Sequence, residues 1–94
     1  MLTHVVLMKF ADTANIPEAK ARLEVLTAKI SEIRSLHVGI DVVRSPVSYD
    51  LCLTTTHRDV EELQAYQAHP AHVEFGGWLR PLLTSRVVVD YVVD

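Results

Sequence analysis

The sequence predicts an α+β domain in which strands alternate with amphipathic helices. Apolar and polar residues alternate with period two in several Val- and Thr-rich segments, which is typical of strands. Between these segments, apolar residues recur at 3- and 4-residue steps, which is typical of helices that face a core. The chain has 94 residues, enough for one hydrophobic core. We therefore expect residues 1–94 to form a single domain.

The first half of the chain predicts a strand, a helix and two more strands. The first strand covers residues 2–10, and the helix begins at Pro17 and ends near Arg34–Ser35. The second and third strands cover residues 36–44 and 49–56. The side chains expected on the core-facing side are His4, Val6, Met8 and Phe10, then Leu23, Leu26, Ile30 and Ile33 on the helix, Leu36, Val38, Ile40 and Val42 on the second strand, and Leu51, Leu53 and Thr55 on the third.

The second half predicts two short helices and a last strand. Asp59 followed by Glu62 is a capping-box pattern, which starts a helix. This helix ends by His69, because the residue before a proline disfavours the α conformation, and Pro70 starts the next helix. The last strand covers residues 86–93. In the first of these helices, the side chains expected to face inward are Val60, Leu63 and either Tyr66 or Gln67. The second helix carries Val73, Phe75, Trp78 and Leu79.

The order of these elements predicts both a fold and an assembly. The order βαββαβ is that of the ferredoxin-like sandwich, an antiparallel sheet with helices on one face. The other face is also apolar, since it carries Val5, Leu7, Val87, Val89 and Tyr91. Only a second chain could cover it, so the sequence predicts a homodimer, a dimeric α/β barrel in which two sheets pack face to face.

Composition and charge argue against several kinds of partner. The net charge is −3 and basic residues are scattered, so nucleic acid and anionic membranes are not expected partners. No apolar run approaches the roughly 18 residues of a membrane span, and the N-terminus has no signal segment. Cys52 is the single cysteine, and its place in a strand pattern predicts a packed, reduced thiol. We expect a cytoplasmic protein.

The stretch from Gln64 to Gly77 contains the densest group of proton-transfer side chains. Tyr66 and His72 are the candidate catalytic pair, with His4 of the first strand in support. A neutral imidazole can accept a proton, and a phenol can donate a hydrogen bond to a carbonyl oxygen that gains charge. The expected apolar pocket beside them consists of Val6, Met8, Leu23, Leu26, Leu51, Leu53, Phe75 and Val88. The alternative is that Tyr66 only fills core space, while His72 caps a helix or faces solvent.

The remaining polar groups favour structural interpretations. His69 and His72 are separated by Pro70, and no four-ligand pattern accompanies them, so neither a metal nor another cofactor is expected. His37 and His57 are interpreted as ordinary exposed residues. Asp90 is interpreted as a structural carboxylate that binds backbone, Arg86 or Arg80.

Three blocks of the chain resemble one known family. Residues 3–10, the block His69-Pro70-Ala71-His72-Val73-Glu74-Phe75, and residues 80–91 are similar to the stress-responsive dimeric A/B-barrel (Dabb) family. The resemblance implies a ferredoxin-like monomer and a barrel-forming dimer. One branch of the family, the plant cyclase that makes olivetolic acid, is a cofactor-independent aldol-type cyclase. Its catalytic tyrosine and histidine match Tyr66 and His72, and its pocket histidine on the first strand matches His4. A further histidine of that pocket is Leu51 here.

Three functional hypotheses follow. The first is a stress-responsive A/B-barrel protein with a small pocket for an apolar or phenolic ligand. The second is a cofactor-independent polyketide cyclase or lyase that acts on a small β-keto or phenolic substrate through Tyr66 and His72. The third is a haem-degrading or antibiotic-type monooxygenase of the same fold, which Trp78 and the histidines keep open.

Overall fold

The computed structural model describes all residues from Met1 to Asp94. A four-stranded antiparallel sheet forms one layer, in the order β2-β3-β1-β4, and the helices form the other. The strands are β1 (Leu2–Phe10), β2 (Ser35–Ile40), β3 (Leu51–His57) and β4 (Leu83–Val92), and the helices are α1 (Ile16–Glu24), α2 (Leu26–Lys29), α3 (Val60–Ala68) and α4 (Pro70–Leu79). This arrangement confirms the expected α+β, ferredoxin-like fold. No helix has both the length and the hydropathy that crossing a membrane requires.

The core lies between the helices and one face of the sheet. Alternate residues of β1 and β3 are buried, so each strand contributes one face to the core. Leu23 and Leu26 pack on this face from α1 and α2, and Tyr66 from α3 is 1% exposed. The expected apolar stripe of the first helix is therefore buried as predicted.

The first helix ends earlier than the sequence predicts. The α1–α2 segment stops at Lys29, and Ile30 has an extended backbone with φ −127° and ψ 106°. Ile30 and Ile33 are still buried, but from the connection to β2 and not from a helix. Two contacts favour this conformation, because Ile33 fills core space and Arg34 binds the buried carboxylate of Glu62 at 2.6 Å. Tertiary contacts thus override the local helical pattern.

The second strand is also shorter than predicted and ends at Ile40. Arg44 adopts a left-handed backbone with φ 57°, which cannot continue a strand. Its N–H donates to Asp41 Oδ2 at 2.7 Å, and its guanidinium donates to Asp50 Oδ1 at 2.7 Å. Val42 therefore lies in a loop and is 88% exposed, so the expectation that it faces the core is wrong.

The cap predictions in the second half are confirmed. The Glu62 N–H donates to Asp59 Oδ1 at 2.9 Å, which is the N-cap bond of a capping box. The Glu62 carboxylate accepts from the Arg58 N–H at 2.8 Å, one residue before the position that the box predicts. Hydrogen bonds from Arg34, and then from the Arg58 N–H, lower the pKa of Glu62 to about 2. Pro70 begins α4 after α3 ends. Val60 is 56% exposed at the start of α3, so the expectation that it faces inward is wrong. The last strand also begins earlier than predicted, at Leu83.

The opposite face of the sheet has no covering layer. Val87, Val89 and Tyr91 of β4 are exposed there, beside half-buried Val5 and Leu7 of β1. Cys52 of β3 lies opposite Leu7 on the same face and is a free, half-buried thiol. We call this surface the open sheet face.

Candidate functional site

A small cavity of about 30 Å³, partly open to solvent, lies between the helices and the sheet. Its lining consists of His4, Val6, Met8, Leu23, Leu53, Tyr66, His72, Phe75, Gly76, Leu79, Arg80 and Arg86. Three residues expected in the lining are absent from it. Leu26 and Leu51 are packed in the core, and Val88 is exposed on the edge strand. The sequence interpretation missed Gly76, Leu79, Arg80 and Arg86.

Tyr66 reaches the cavity from the last turn of α3. Its ring is buried, yet its hydroxyl, which has no hydrogen-bond partner among the side chains and backbone, faces the cavity. Burial raises the pKa of Tyr66 to about 12, because the charged phenolate is poorly solvated there. The hydroxyl is therefore a protonated donor at neutral pH, available to a bound molecule.

His72 lies against Tyr66 in the first half of α4. The two ring centroids are 4.6 Å apart, in an edge-to-face arrangement. His72 Nδ1 donates to the carbonyl oxygen of Gln67 at 3.1 Å, which leaves Nε2 as the nitrogen that can accept a proton. Burial lowers the pKa of His72, and the positive charges of Arg86 and Arg80 lower it further. The imidazole is therefore neutral near pH 7 and can serve as a base.

His4 is buried on β1 and is oriented by Asp90 of β4. The register of the two strands places His4 directly opposite Asp90, and His4 Nδ1 hydrogen-bonds to Asp90 Oδ1. The expectation that Asp90 binds backbone, Arg86 or Arg80 is therefore wrong. Since His4 Nδ1–H donates this hydrogen bond to the carboxylate, Nε2 is left as an acceptor. The His4 ring centroid is 6.3 Å from that of Tyr66.

His57 is buried, so its interpretation as an exposed residue is wrong. Its Nδ1 donates to the carbonyl oxygen of Glu32 at 2.7 Å, and its Nε2 accepts from Thr55 Oγ1 at 2.8 Å. Its ring centroid lies 5.0 Å from that of Tyr66, and it supports the phenol from behind without lining the cavity. The alternation of β3 could have predicted the burial of His57, because Leu51, Leu53, Thr55 and His57 share one face of the strand.

The buried imidazole of His57 predicts a pH-dependent stability. Burial lowers the pKa of His57 below its ordinary 6.5, so the unfolded chain binds the proton more tightly. The free energy of unfolding should then fall as pH drops below about 6.5. Thermal unfolding at pH 7.5 and 5.5 should show a smaller pH effect in His57→Gln than in the wild type. His37→Gln, at an exposed position, is the control and should keep the wild-type difference. An unchanged difference in His57→Gln would contradict the prediction.

The side chains offer no ready metal site. No three His, Cys, Asp or Glu side chains are grouped as a metal ion would need. His69, the other histidine of the central block, uses Nδ1 to accept from the Ala71 N–H at 3.0 Å. It caps α4 and does not line the cavity.

The fold and the cavity together define a ferredoxin-like α+β domain with a small internal site. The family model described as stress responsive A/B barrel domain matches residues 2–93, and the chain belongs to this family. A relative from Arabidopsis thaliana, the stress-response A/B barrel domain-containing protein At5g22580, is 26% identical over 95 residues, covering 96% of this chain and 84% of that protein.

Solved structures repeat the same architecture. A dimeric protein of unknown function with a ferredoxin-like fold, from Bacteroides fragilis, is 30% identical with a TM-score of 0.85, and the match covers 98% of this chain and 95% of that one. The hydroxynitrile lyase of Passiflora edulis has a TM-score of 0.85 at 17% identity, over 99% of this chain and 93% of that one. At that identity the likeness concerns the fold alone, and function has to be argued from the cavity.

Proposed function

We propose that this A/B-barrel protein is a cofactor-independent enzyme of the lyase or cyclase type, which removes a proton from a carbon next to a carbonyl group. One observation carries the proposal. The unpartnered hydroxyl of Tyr66 and the neutral imidazole of His72 meet at one wall of a largely apolar cavity. A donor for an oxyanion and an acceptor for a proton are the two groups that such a reaction needs.

The proposed reaction assigns each group one proton movement. His72 Nε2 takes the proton, the C–H bond breaks, and its electron pair moves onto the carbonyl oxygen. The Tyr66 hydroxyl donates a hydrogen bond to this developing enolate oxygen and keeps its own proton. The enolate carbon then attacks a second carbonyl group, or expels a leaving group, and His72 returns the proton. These steps require no redox partner, since no electrons leave the substrate.

His4 and Asp90 have a supporting role in this proposal. Asp90 fixes the imidazole of His4 in one tautomer, with Nε2 free. The rings of His4 and Tyr66 are neighbours, with centroids 6.3 Å apart, and both border the same cavity. His4 can therefore accept a hydrogen bond from a hydroxyl group of a phenolic or enolic substrate. Asp90 is a positioning residue, because it acts through His4.

The test uses hydroxyphenylacetone, a small uncharged phenolic ketone. Proton NMR measures how fast deuterium from D₂O replaces the hydrogens on the carbons next to its carbonyl group. The exchange rate should rise with pH through one ionisation below pH 6.5, because the pKa of His72 is lowered from that value. It should then stay level to about pH 10, because Tyr66 remains protonated until about pH 12. His72→Gln should lower the plateau by roughly 10²–10⁴-fold.

Two results would remove the proposal. The first is wild-type exchange no faster than in buffer alone, for this ketone and for a small β-diketone. The second is a full exchange rate in His72→Gln, which would leave the base unassigned. His69→Gln is the matched control, since His69 belongs to the same sequence block but does not line the cavity.

We also infer that the functional unit is a homodimer joined through the open sheet face. Val5 lies opposite Val89, and Leu7 lies opposite Val87, so four apolar side chains form a continuous patch on neighbouring strands. Such a patch is unfavourable in water and is suited to an identical patch on a second copy. The Bacteroides fragilis protein is described as dimeric, which supports this assembly. The cavity lies on the other face of the sheet, so both copies keep a complete site.

A further inference from the structure

Two arginines stand where the cavity opens to solvent. Arg80 follows the end of α4, and Arg86 lies on β4. Both also line an outer groove of about 550 Å³, together with Gln67, His72, Val73, Gly76 and Gly77. The groove and the inner cavity share Arg80, Arg86, His72 and Gly76, so a ligand that enters the cavity passes both guanidinium groups.

These two arginines are the ones without a carboxylate partner. Every other arginine of the chain forms an ion pair: Arg22 with Glu18, Arg34 with Glu62, Arg44 with Asp41 and Asp50, and Arg58 with Asp59. Arg80 and Arg86 appear in no such pair and make no side-chain hydrogen bond. Since guanidinium groups favour planar oxyanions as partners, two free ones at a single opening indicate a binding function.

The surroundings leave the positive charge uncompensated. The chain has 12 acidic residues against 9 basic ones, yet no Asp or Glu lines either the cavity or the groove. In a protein of net charge −3 this concentrates a local positive potential at one opening. Burial lowers the pKa of His72 most, and the charges of Arg86 and Arg80 lower it further, in keeping with their place beside the cavity.

Local structure holds the two side chains at the opening. The Arg80 side chain packs against Gly76, where its Nε lies 3.8 Å from the position that a Cβ atom would occupy. Arg86 is opposite Met8 in the strand register, so it projects from the cavity face of the sheet. Apolar walls begin immediately inward of them, with Met8 and Phe75. The site is therefore charged at its mouth and apolar inside.

We infer that Arg80 and Arg86 bind a carboxylate or phosphate group of the substrate, while its carbonyl end enters the cavity. The inference rests on the proposed function and narrows it: the substrate class is a small carbonyl compound with an anionic end. Bidentate hydrogen bonds from either guanidinium would fix that end in the groove. The apolar body would then extend past Met8 and Phe75 toward Tyr66 and His72.

The test compares aryl ketones that differ in the group at the end of the chain. β-Benzoylpropionate is an aryl ketone with a carboxylate, its methyl ester is uncharged, and phenacyl phosphate carries a phosphate instead. Dissociation constants from NMR titration at low salt should favour one of the acids over the ester by on the order of tenfold. The preference should shrink as salt is raised. The acid that binds more tightly identifies the oxyanion.

Variants assign the preference to the two arginines. The double variant Arg80→Gln/Arg86→Gln should bind the two acids only as tightly as it binds the ester. Lys29→Gln removes the same kind of charge from the exposed end of α2 and should keep the preference. Equal binding of acid and ester by the wild type, or no binding of either acid at millimolar concentration, would overturn the inference. A preference that persists in the double variant would do the same.

This binding experiment is independent of turnover. Exchange on uncharged hydroxyphenylacetone together with equal binding of acid and ester would keep the proposed reaction and remove the anion site. A clear preference for the acids without deuterium exchange on any probe would keep the anion site and remove the proposed reaction.

Discussion

Replacing Tyr66 by phenylalanine should lower the rate of deuterium exchange by roughly 10²–10³-fold and leave the thermal unfolding temperature unchanged. Loss of one preorganised donor to a developing oxyanion has an effect of this size. Stability should be preserved because the Tyr66 hydroxyl has no partner within the protein. The ring, which packs against His57 and His72, is retained in the variant.

The combination of these two readouts separates catalysis from packing. If Tyr66 only filled the core, its hydroxyl would be bound to another group, and its removal would lower stability without a specific effect on rate. Tyr49→Phe is the matched control, because the Tyr49 hydroxyl is bonded to Ser85 Oγ at 2.9 Å away from the cavity. That variant should show the opposite result, with an unchanged exchange rate and a slightly lower unfolding temperature. A Tyr66→Phe variant that exchanges at the wild-type rate would contradict the assignment.

Local signals explain why much of the fold could be predicted from the sequence. The alternation of β1 and β3, the Asp59–Glu62 cap and the break at Pro70 each depend on a few neighbouring residues. Such features are largely independent of the rest of the chain. The stop of the first helix at Lys29 is different, because contacts of Ile33 and Arg34 with distant elements determine it. A local helical pattern contains no information on those contacts.

The sequence brings Tyr66 and His72 together, but it does not reveal which distant residues lie beside them in the cavity. Tyr66 and His72 lie on adjacent helices joined at Pro70, so the sequence itself brings them close. The contact between His4 and Asp90 joins residues 86 positions apart and depends on the β1–β4 register. Alternation alone assigns each residue to a face but does not give the register between strands. The arginines at the cavity mouth, Arg80 and Arg86, could be recognised only once the ion pairs of the other arginines were known.

Replacing Val89 by aspartate should convert the proposed dimer into monomers. Val89 is 63% exposed on the open sheet face of one chain, and in the proposed dimer it would be buried. A two-fold interface repeats every substitution, so two unpaired carboxylates would be buried together at a cost of several kcal/mol. Light scattering at micromolar concentration should give the mass of two chains for the wild type and one for the variant. Circular dichroism should report a similar helix content, because Val89 is not part of the monomer core.

Val60→Asp gives this experiment a matched control on the helical side of the molecule. Val60 is 56% exposed, close to the value of Val89, but it lies at the start of α3, where an added carboxylate is favourable. The control should remain dimeric, so a general effect of removing an exposed valine can be separated from an effect on the interface. A wild-type chain that scatters as a monomer would contradict the dimer itself. A Val89→Asp variant that stays dimeric would instead place the interface on another surface, and the apolar character of the open sheet face would then need a different partner.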